Sequence, residues 1–392
     1  MQLADRIQPL QKNVFADMDR AKGEAIAAGQ SLIDLSLGSS DLPVAEPIIN
    51  AIANALPDAK THGYLLFNGT QDFRQAVASW YKSRYGVAVN PETEVLPLIG
   101  SQEGTAHLPL AVLNPGEIAL LLDPGYPSHS GGVHLAGGEI YPLPLLAEHD
   151  FLPQLEKIPD KILSRSRLLV LSYPHNPTSA IAPLSFFKQA VVFAQRHNLV
   201  LAHDFPYADF AFDPGTLLPS ILQADPDKSV SIEFFTFSKS YNMGGFRIGF
   251  AIGNSELIGA LRRIKAVVDF NQYRGILSGA IAALQSPPAL VQKTVDIFCE
   301  RRDRFVSAMH SIGWTVPTPA ATMYVWAKLP PGWEQDSIKF AVQLVKATGV
   351  AVSPGAGFGP AGEGYVRFAL VHDPDVLEKA VQRINSWLTT QQ

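Results

Sequence analysis

The sequence predicts an α/β protein: a large domain with a mostly parallel, seven-stranded sheet sandwiched by helices, and a smaller α+β domain formed by the N- and C-terminal segments. Three observations predict it. Short apolar runs rich in Val, Ile, Leu and Phe recur between residues 95 and 253. They are mostly continuous rather than alternating, as strands buried on both faces of a parallel sheet read. Helical patterns such as PLSFFKQAVVFAQRH (183–197) and ELIGALRRIKAVVD (256–269) separate them, and strands alternating with helices build a layered sheet. After a long helical stretch around 275–311 the chain changes to short strand-like segments and a final helix.

In chain order, the first 45 residues are expected to pack with the small domain. The expected strands of the large domain are VLPLIG (95–100), IALLLD (118–123), GEIYPL (138–143), RLLVLSY (167–173), LVLAHDF (199–205), IEFFTF (232–237) and RIGFAIG (247–253). The small domain is expected from WTVPT (314–318), MYVWAKL (323–329), GYVRFAL (364–370) and the helix DPDVLEKAVQRINSWL (373–388). The boundaries are set at 1–45, 46–285 and 286–392. No internal repeat or low-complexity tract interrupts this order.

Composition narrows the function. With 392 residues, 47% of them hydrophobic, there is material for a sizeable core. The net charge is -5 with no basic block, which argues against nucleic acid as a partner. Cys299 is the lone cysteine, so no intrachain disulfide forms and a reducing compartment fits. The histidines show no metal-ligand spacing, and no metal is expected. The start MQLADRIQPL lacks the blocks of a signal peptide, and no run reaches the roughly 20 apolar residues of a membrane span. A soluble cytoplasmic protein without membrane or nucleic-acid partners is expected.

In an open α/β sheet, ligands bind beyond the carboxyl ends of the strands. The residues there are Ser101, Gln102 and Glu103 after the first run, Tyr126 after the second, and Asn176 in PHNPT after RLLVLSY. Asp204 ends LVLAHDF, with Tyr207 three positions on, and Ser238 and Lys239 follow IEFFTF. A hydroxyl loop, an aromatic, an amide, a carboxylate with a phenol and a lysine could together bind a phosphorylated, aromatic, nitrogen-containing cofactor.

The ordered set NPT, then D-x-x-Y, then SKS with Arg247 eight residues beyond Lys239, resembles the class I/II aminotransferases of fold type I, which depend on pyridoxal 5'-phosphate. The resemblance runs from LSLGSSD to GYVRFAL. The segments VLPLIGSQEGTAHLPLAVLNPGE and FSKSYNMGGFRIGFAIGN look most like the branch that holds LL-diaminopimelate aminotransferases and certain alanine aminotransferases.

The resemblance implies a role for each residue. Lys239 forms the Schiff base with the cofactor and then moves the proton as general base and acid. Asp204 pairs with the pyridine nitrogen, and Tyr207 and Asn176 reach the ring hydroxyl oxygen. Tyr126 stacks on the ring. Ser101, Gln102, Ser238 and Arg247 hold the phosphate; Ser101 also reads as a plain helix cap, and the two roles are compatible. Phe246 stands where the family often has tryptophan. Arg367 clamps the substrate α-carboxylate, with Gly38 offering a backbone N–H and Asn176 beside them. Tyr64 matches a tyrosine that reaches the phosphate of the other subunit, so a homodimer with the site at its interface is expected.

An L-amino acid and a 2-oxo acid would then exchange an amino group by ping-pong kinetics. The substrate could be LL-diaminopimelate, alanine, aspartate or an aromatic amino acid. Glu103, Tyr324 and the segment 14–20 are candidates for the side-chain pocket. Glu103 would suit a distal ammonium, but it also suits the first turn of a helix. The apolar Leu65, Leu66 and Phe67 favour a smaller or neutral amino acid over a highly charged one. A β- or γ-eliminating lyase on the same scaffold is the alternative. A cofactor-binding regulator would need an added DNA-binding module, for which the residues before about 31 leave no room.

Overall fold

The structure, a computed structural model, describes residues 3–11 and 14–390. A two-residue strand, β1 (Ile33–Asp34), precedes the large sheet. That sheet contains β2 (Val95–Leu98), β3 (Ile118–Asp123), β4 (Glu139–Pro144), β5 (Ser166–Ser172), β6 (Val200–Asp204), β7 (Ser231–Thr236) and β8 (Gly249–Gly253). Its order is β2-β8-β7-β6-β5-β3-β4. All seven expected runs are present, and all pairs are parallel except those that β8 makes with β2 and β7.

The continuous apolar runs are explained by the pleat. Leu120 and Leu122 of β3 and Leu169 and Leu171 of β5 point into one core. Ala119 and Leu121, with Leu168 and Val170, point into another on the opposite face. A period of two splits each run between two apolar layers, so neither face needs polar residues. The edge strand β4 departs from that reading: only Leu143 is buried, because one of its sides has no neighbouring strand.

The reversal of β8 matters for the site. After β7 the chain makes a single helical turn, Phe237–Ser240, and a 3-10 turn, Gly244–Phe246, then re-enters the sheet beside the strand it left. The lysine therefore sits in a tight return at the sheet's carboxyl end rather than at the start of a long crossover helix. Arg247 closes this return at φ 52°, a left-handed conformation that non-glycine residues seldom adopt.

The remaining strands are β9 (Tyr324–Lys328), β10 (Val350–Ala351), β11 (Ser353–Pro354) and β12 (Tyr365–Ala369). They form an antiparallel sheet β11-β12-β9 and a parallel pair β1-β10. The β1 pairing and the packing of helix Val14–Ala27 on helix Ser337–Thr348 join the N-terminal segment to the C-terminal one.

Two expectations need correction. The WTVPT segment forms no strand; Pro317 and Pro319 carry no N–H for a ladder, and Trp314 instead donates its indole N–H to the Lys328 carbonyl at 2.9 Å. The helical stretch 275–311 is two helices, Arg274–Gln285 and Ala289–Ser311, broken at Pro287 and Pro288. The sequence reading also lacks helix Ser337–Thr348, although Asp336 caps it by accepting the Lys339 N–H at 2.9 Å.

Candidate active site

Five strand ends of the large sheet and β12 of the small one meet at a cavity of about 610 Å³. Ser101, Gln102, Tyr126, Asn176, Asp204, Tyr207, Ser238, Lys239, Arg247, Gly38 and Arg367 all line it, as does Tyr324. Residues more than 200 positions apart thus share one wall. No short-range pattern in the sequence states that convergence; the parallel sheet produces it by putting its carboxyl ends on one side.

At the end of β2, Gly100 adopts φ 74° and a Cβ there would overlap the Arg247 guanidinium. Glycine is what lets helix Ser101–Val112 start against that arginine. Ser101 is the first helical residue and not the cap, which is Gly100. It faces the cavity beside Ser238 and Arg247. Free amides, a helix dipole, hydroxyls and a guanidinium together are a set that could hold an anion.

Lys239 is half-buried and donates from Nζ to the Gly38 carbonyl. Desolvation pushes its pKa down; Tyr324 opposes this, and the Arg367 and Arg247 cations add to it. Tyr324 and Tyr207 share a hydrogen bond between their hydroxyls at 2.6 Å. Burial raises the Tyr207 phenol, and so does Tyr324. Burial also works to raise Tyr324, but Lys239 and Arg367 outweigh it and hold that phenol below its ordinary value.

Arg367 is buried with its guanidinium 4.2 Å over the Tyr324 ring. It donates to Asn176 Oδ1 and to the Ser36 carbonyl, both at 2.7 Å. Gly38 passes so close to Tyr324 that a Cβ would overlap the phenol. A compact donor fork beside an amine is an arrangement that can hold a carboxylate next to a reacting carbon.

Asp204 is buried, and its Oδ2 is bonded to His129 Nε2 at 3.0 Å. Its Oδ1 has no partner among the described residues. A buried carboxylate oxygen without a donor suits a ligand that brings a protonated nitrogen. With the anion pocket and Tyr126 on the same wall, the donor and acceptor set fits pyridoxal phosphate: a protonated ring nitrogen, an aromatic face and a phosphate. His129 is the neighbour that sequence reasoning missed. It lies one helical turn beyond Tyr126, on helix Pro127–Leu135, but nothing local ties it to a residue 75 positions away.

Other expectations are redirected. Glu103 does not line the cavity; both its oxygens accept from Lys265 Nζ at 2.9 Å, and Oε2 also takes the Ile99 N–H. The same lysine sits beside the cluster of Glu103, Asp269 and His107 and fills the role a cation would have there. Leu65 is core, Phe67 packs on Phe270, and none of 65–67 lines the cavity, so their apolar character does not describe its chemistry. Tyr64 lies away from the cavity, 93% exposed and edge-on to Phe270. Of the segment 14–20, the side chains of 14–16 lie outside the described residues, while Met18 and Asp19 line the cavity.

A family model described as aminotransferase class I and II matches residues 30–384. An LL-diaminopimelate aminotransferase of Dehalococcoides mccartyi is 42% identical over 384 residues, 98% of either chain. One of Halothermothrix orenii is 40% identical, again over 98% of each. Among solved structures, a probable N-succinyldiaminopimelate aminotransferase of Thermus thermophilus superposes with a TM-score of 0.90 at 42% identity, covering 95% of this chain and 99% of that one. Substrate-bound BacF of Bacillus subtilis gives 0.94 at 35% identity, covering 99% and 98%.

Proposed function

The chain belongs to the class I and II aminotransferases and is a pyridoxal-phosphate-dependent transaminase, and on that premise we propose that its amino donor is LL-diaminopimelate or a close derivative. The observation that carries the reaction class is one cavity holding the Lys239 amine, the Arg367 fork and the half-satisfied Asp204 carboxylate. The donor is supported by the names of relatives that match this chain end to end.

Asp204, Tyr207, Asn176 and Tyr126 would hold the cofactor ring, and Ser101, Gln102, Ser238 and Arg247 its phosphate. Bound there, pyridoxal phosphate supplies the electron sink that allows an amino acid to lose its Cα proton. Arg367 fixes the α-carboxylate, and Gly38 offers its N–H beside it, so one face of Cα is presented to Lys239. Lys239 Nζ would take that proton and return it to the carbon on the far side of the amino nitrogen; burial lowers its pKa, which favours the neutral amine that this needs. Asp204 keeps the ring nitrogen protonated, and His129 holds the carboxylate in place. An amino acid and a 2-oxo acid then occupy the same site in turn.

We further propose a homodimer in which Tyr64 completes the partner's phosphate pocket, and a cytoplasmic setting. Its exposure beside Leu66, which is 55% exposed, supports the interface. No described helix is long and apolar enough to cross a membrane.

The test is the visible spectrum of the holoenzyme mixed with LL-diaminopimelate, L-glutamate or L-alanine, with the oxo acid and ammonia assayed. Loss of the cofactor's visible band with LL-diaminopimelate and stoichiometric oxo acid is expected. Ammonia in place of a recoverable amino group would overturn transamination; a band unmoved by LL-diaminopimelate but bleached by another donor would overturn the substrate.

A further inference from the structure

Resting on that reading, we propose that Lys22 and Asp19, on the N-terminal helix, form a subsite for a distal amino-carboxylate: Lys22 takes the far carboxylate and Asp19 the far ammonium. Both residues line the cavity, on the same helical face as Met18.

A relay of contacts fixes where they stand relative to Arg367. Arg367 Nη2 donates to the Ser36 carbonyl at 2.7 Å. Asp34, two residues back, accepts from the Ser36 N–H at 2.8 Å and its hydroxyl at 2.6 Å. The other Asp34 oxygen holds Lys22 Nζ at 3.0 Å. Lys22 also reaches Asp19 Oδ1 at 3.2 Å. Two residues of extended chain plus the two side chains place Lys22 on the order of 10 Å from the α-carboxylate fork. That is the span of an acid with an amino-carboxylate head at each end.

The donor count leaves room for a ligand. An ammonium has three donors, and Lys22 has two of them engaged. Its side chain is only 16% exposed, so the remaining donor is held at the cavity wall and not swinging in solvent. Asp19 keeps Oδ2 without a partner among the described residues. Burial works against ionisation of Asp34, but the Ser36 hydroxyl and amide and Lys22 outweigh it, so Asp34 is a fixed anionic anchor for the lysine. With Asp34 committed to that anchor, one cationic donor and one anionic acceptor remain. A lone distal carboxylate would use only the first; an amino-carboxylate uses both.

The test is the single-turnover half-reaction, followed by the cofactor's visible band, with three donors. These are LL-diaminopimelate, its N-succinyl derivative, and L-2-aminoheptanoate, which has the chain but neither distal group. Each variant is read as a ratio between donors on one preparation, so a partial folding defect cancels. Lys22→Met is expected to cut the preference for LL-diaminopimelate over L-2-aminoheptanoate by about tenfold or more, and Lys22→Arg to restore most of it. Asp19→Asn is expected to weaken LL-diaminopimelate about threefold to tenfold relative to the N-succinyl derivative, whose distal nitrogen carries no charge. Ratios unchanged by Lys22→Met and Asp19→Asn overturn the subsite while leaving the transaminase reading in place. Wild-type protein that ignores LL-diaminopimelate overturns the substrate reading, and does so before any variant is made.

Discussion

Arg367 is a residue whose packing makes it irreplaceable by another cation. Its fork is shared among Asn176, the Ser36 carbonyl and the Ser353 hydroxyl. Lysine has the charge but not the planar geometry. Arg367→Lys is expected to lower kcat/KM on the order of a hundredfold while the cofactor's visible band persists; unchanged kinetics would remove Arg367 from the carboxylate role. His175 makes a different kind of prediction. It is buried and bonded through Nδ1 to Thr178 Oγ1 at 2.8 Å. Burial, aided by the nearby His129, pushes its pKa down to about 3 from an ordinary 6.5. Above pH 6.5 both folded and unfolded chains carry it neutral, and it adds no pH dependence. Below 6.5 the unfolded chain binds a proton that the folded one refuses. Stability therefore falls as pH drops towards 3, by up to about 1.4 kcal/mol per pH unit. Urea midpoints from pH 7 to 5 should show the slope, and His175→Gln should flatten it.

At the scale of elements, the helix that opens the anion pocket is fixed by a buried ion pair. Lys265 on helix Ser255–Val268 is fully buried and holds Glu103 on helix Ser101–Val112. Burial raises the Glu103 pKa; Lys265 and the Ile99 N–H work against that. Removing Lys265 alone strands a carboxylate in the core, which costs roughly 3–5 kcal/mol. Lys265→Met is expected to lower thermal stability sharply, and Glu103→Gln/Lys265→Met to recover most of the loss. Because Glu103 also grips the loop before Ser101, the single variant should release the cofactor at lower urea than the double. If both variants unfold alike, the pair is not what sets the helix.

At the scale of the molecule, the site is assembled from distant parts of one chain. Fully buried Arg301 pairs with both oxygens of Asp41, at 2.7 and 2.8 Å, tying the segment that carries Gly38 to the long helix Ala289–Ser311. The exposed Tyr64, Leu66, Val267 and Val268 leave apolar surface outside the cavity. Light scattering is expected to give about twice the 42.5 kDa of the chain. Tyr64→Ala is expected to weaken cofactor retention without changing that mass. A monomer with full activity would end the proposal of a shared site.

The sequence alone determined the layered α/β fold and most of the cavity wall. Strands buried on both faces are mostly apolar, so β3, β5 and β7 stood out, and the polar residues just past their ends were candidates to serve a ligand. Lys239, Asp204 and Asn176 were legible for that reason. What tertiary structure decided were pairings across long separations: His129 with Asp204, Lys265 with Glu103, and Arg367 with Ser36. Glu103 reads as a pocket residue or a helix-start residue until its partner 162 positions away is seen. Lys22 carries no local signal of a site, and its pairing with Asp34 is what sets it at the cavity wall. Periodicity records which way a side chain faces, but the identity of the charge it meets is fixed only when separate elements pack.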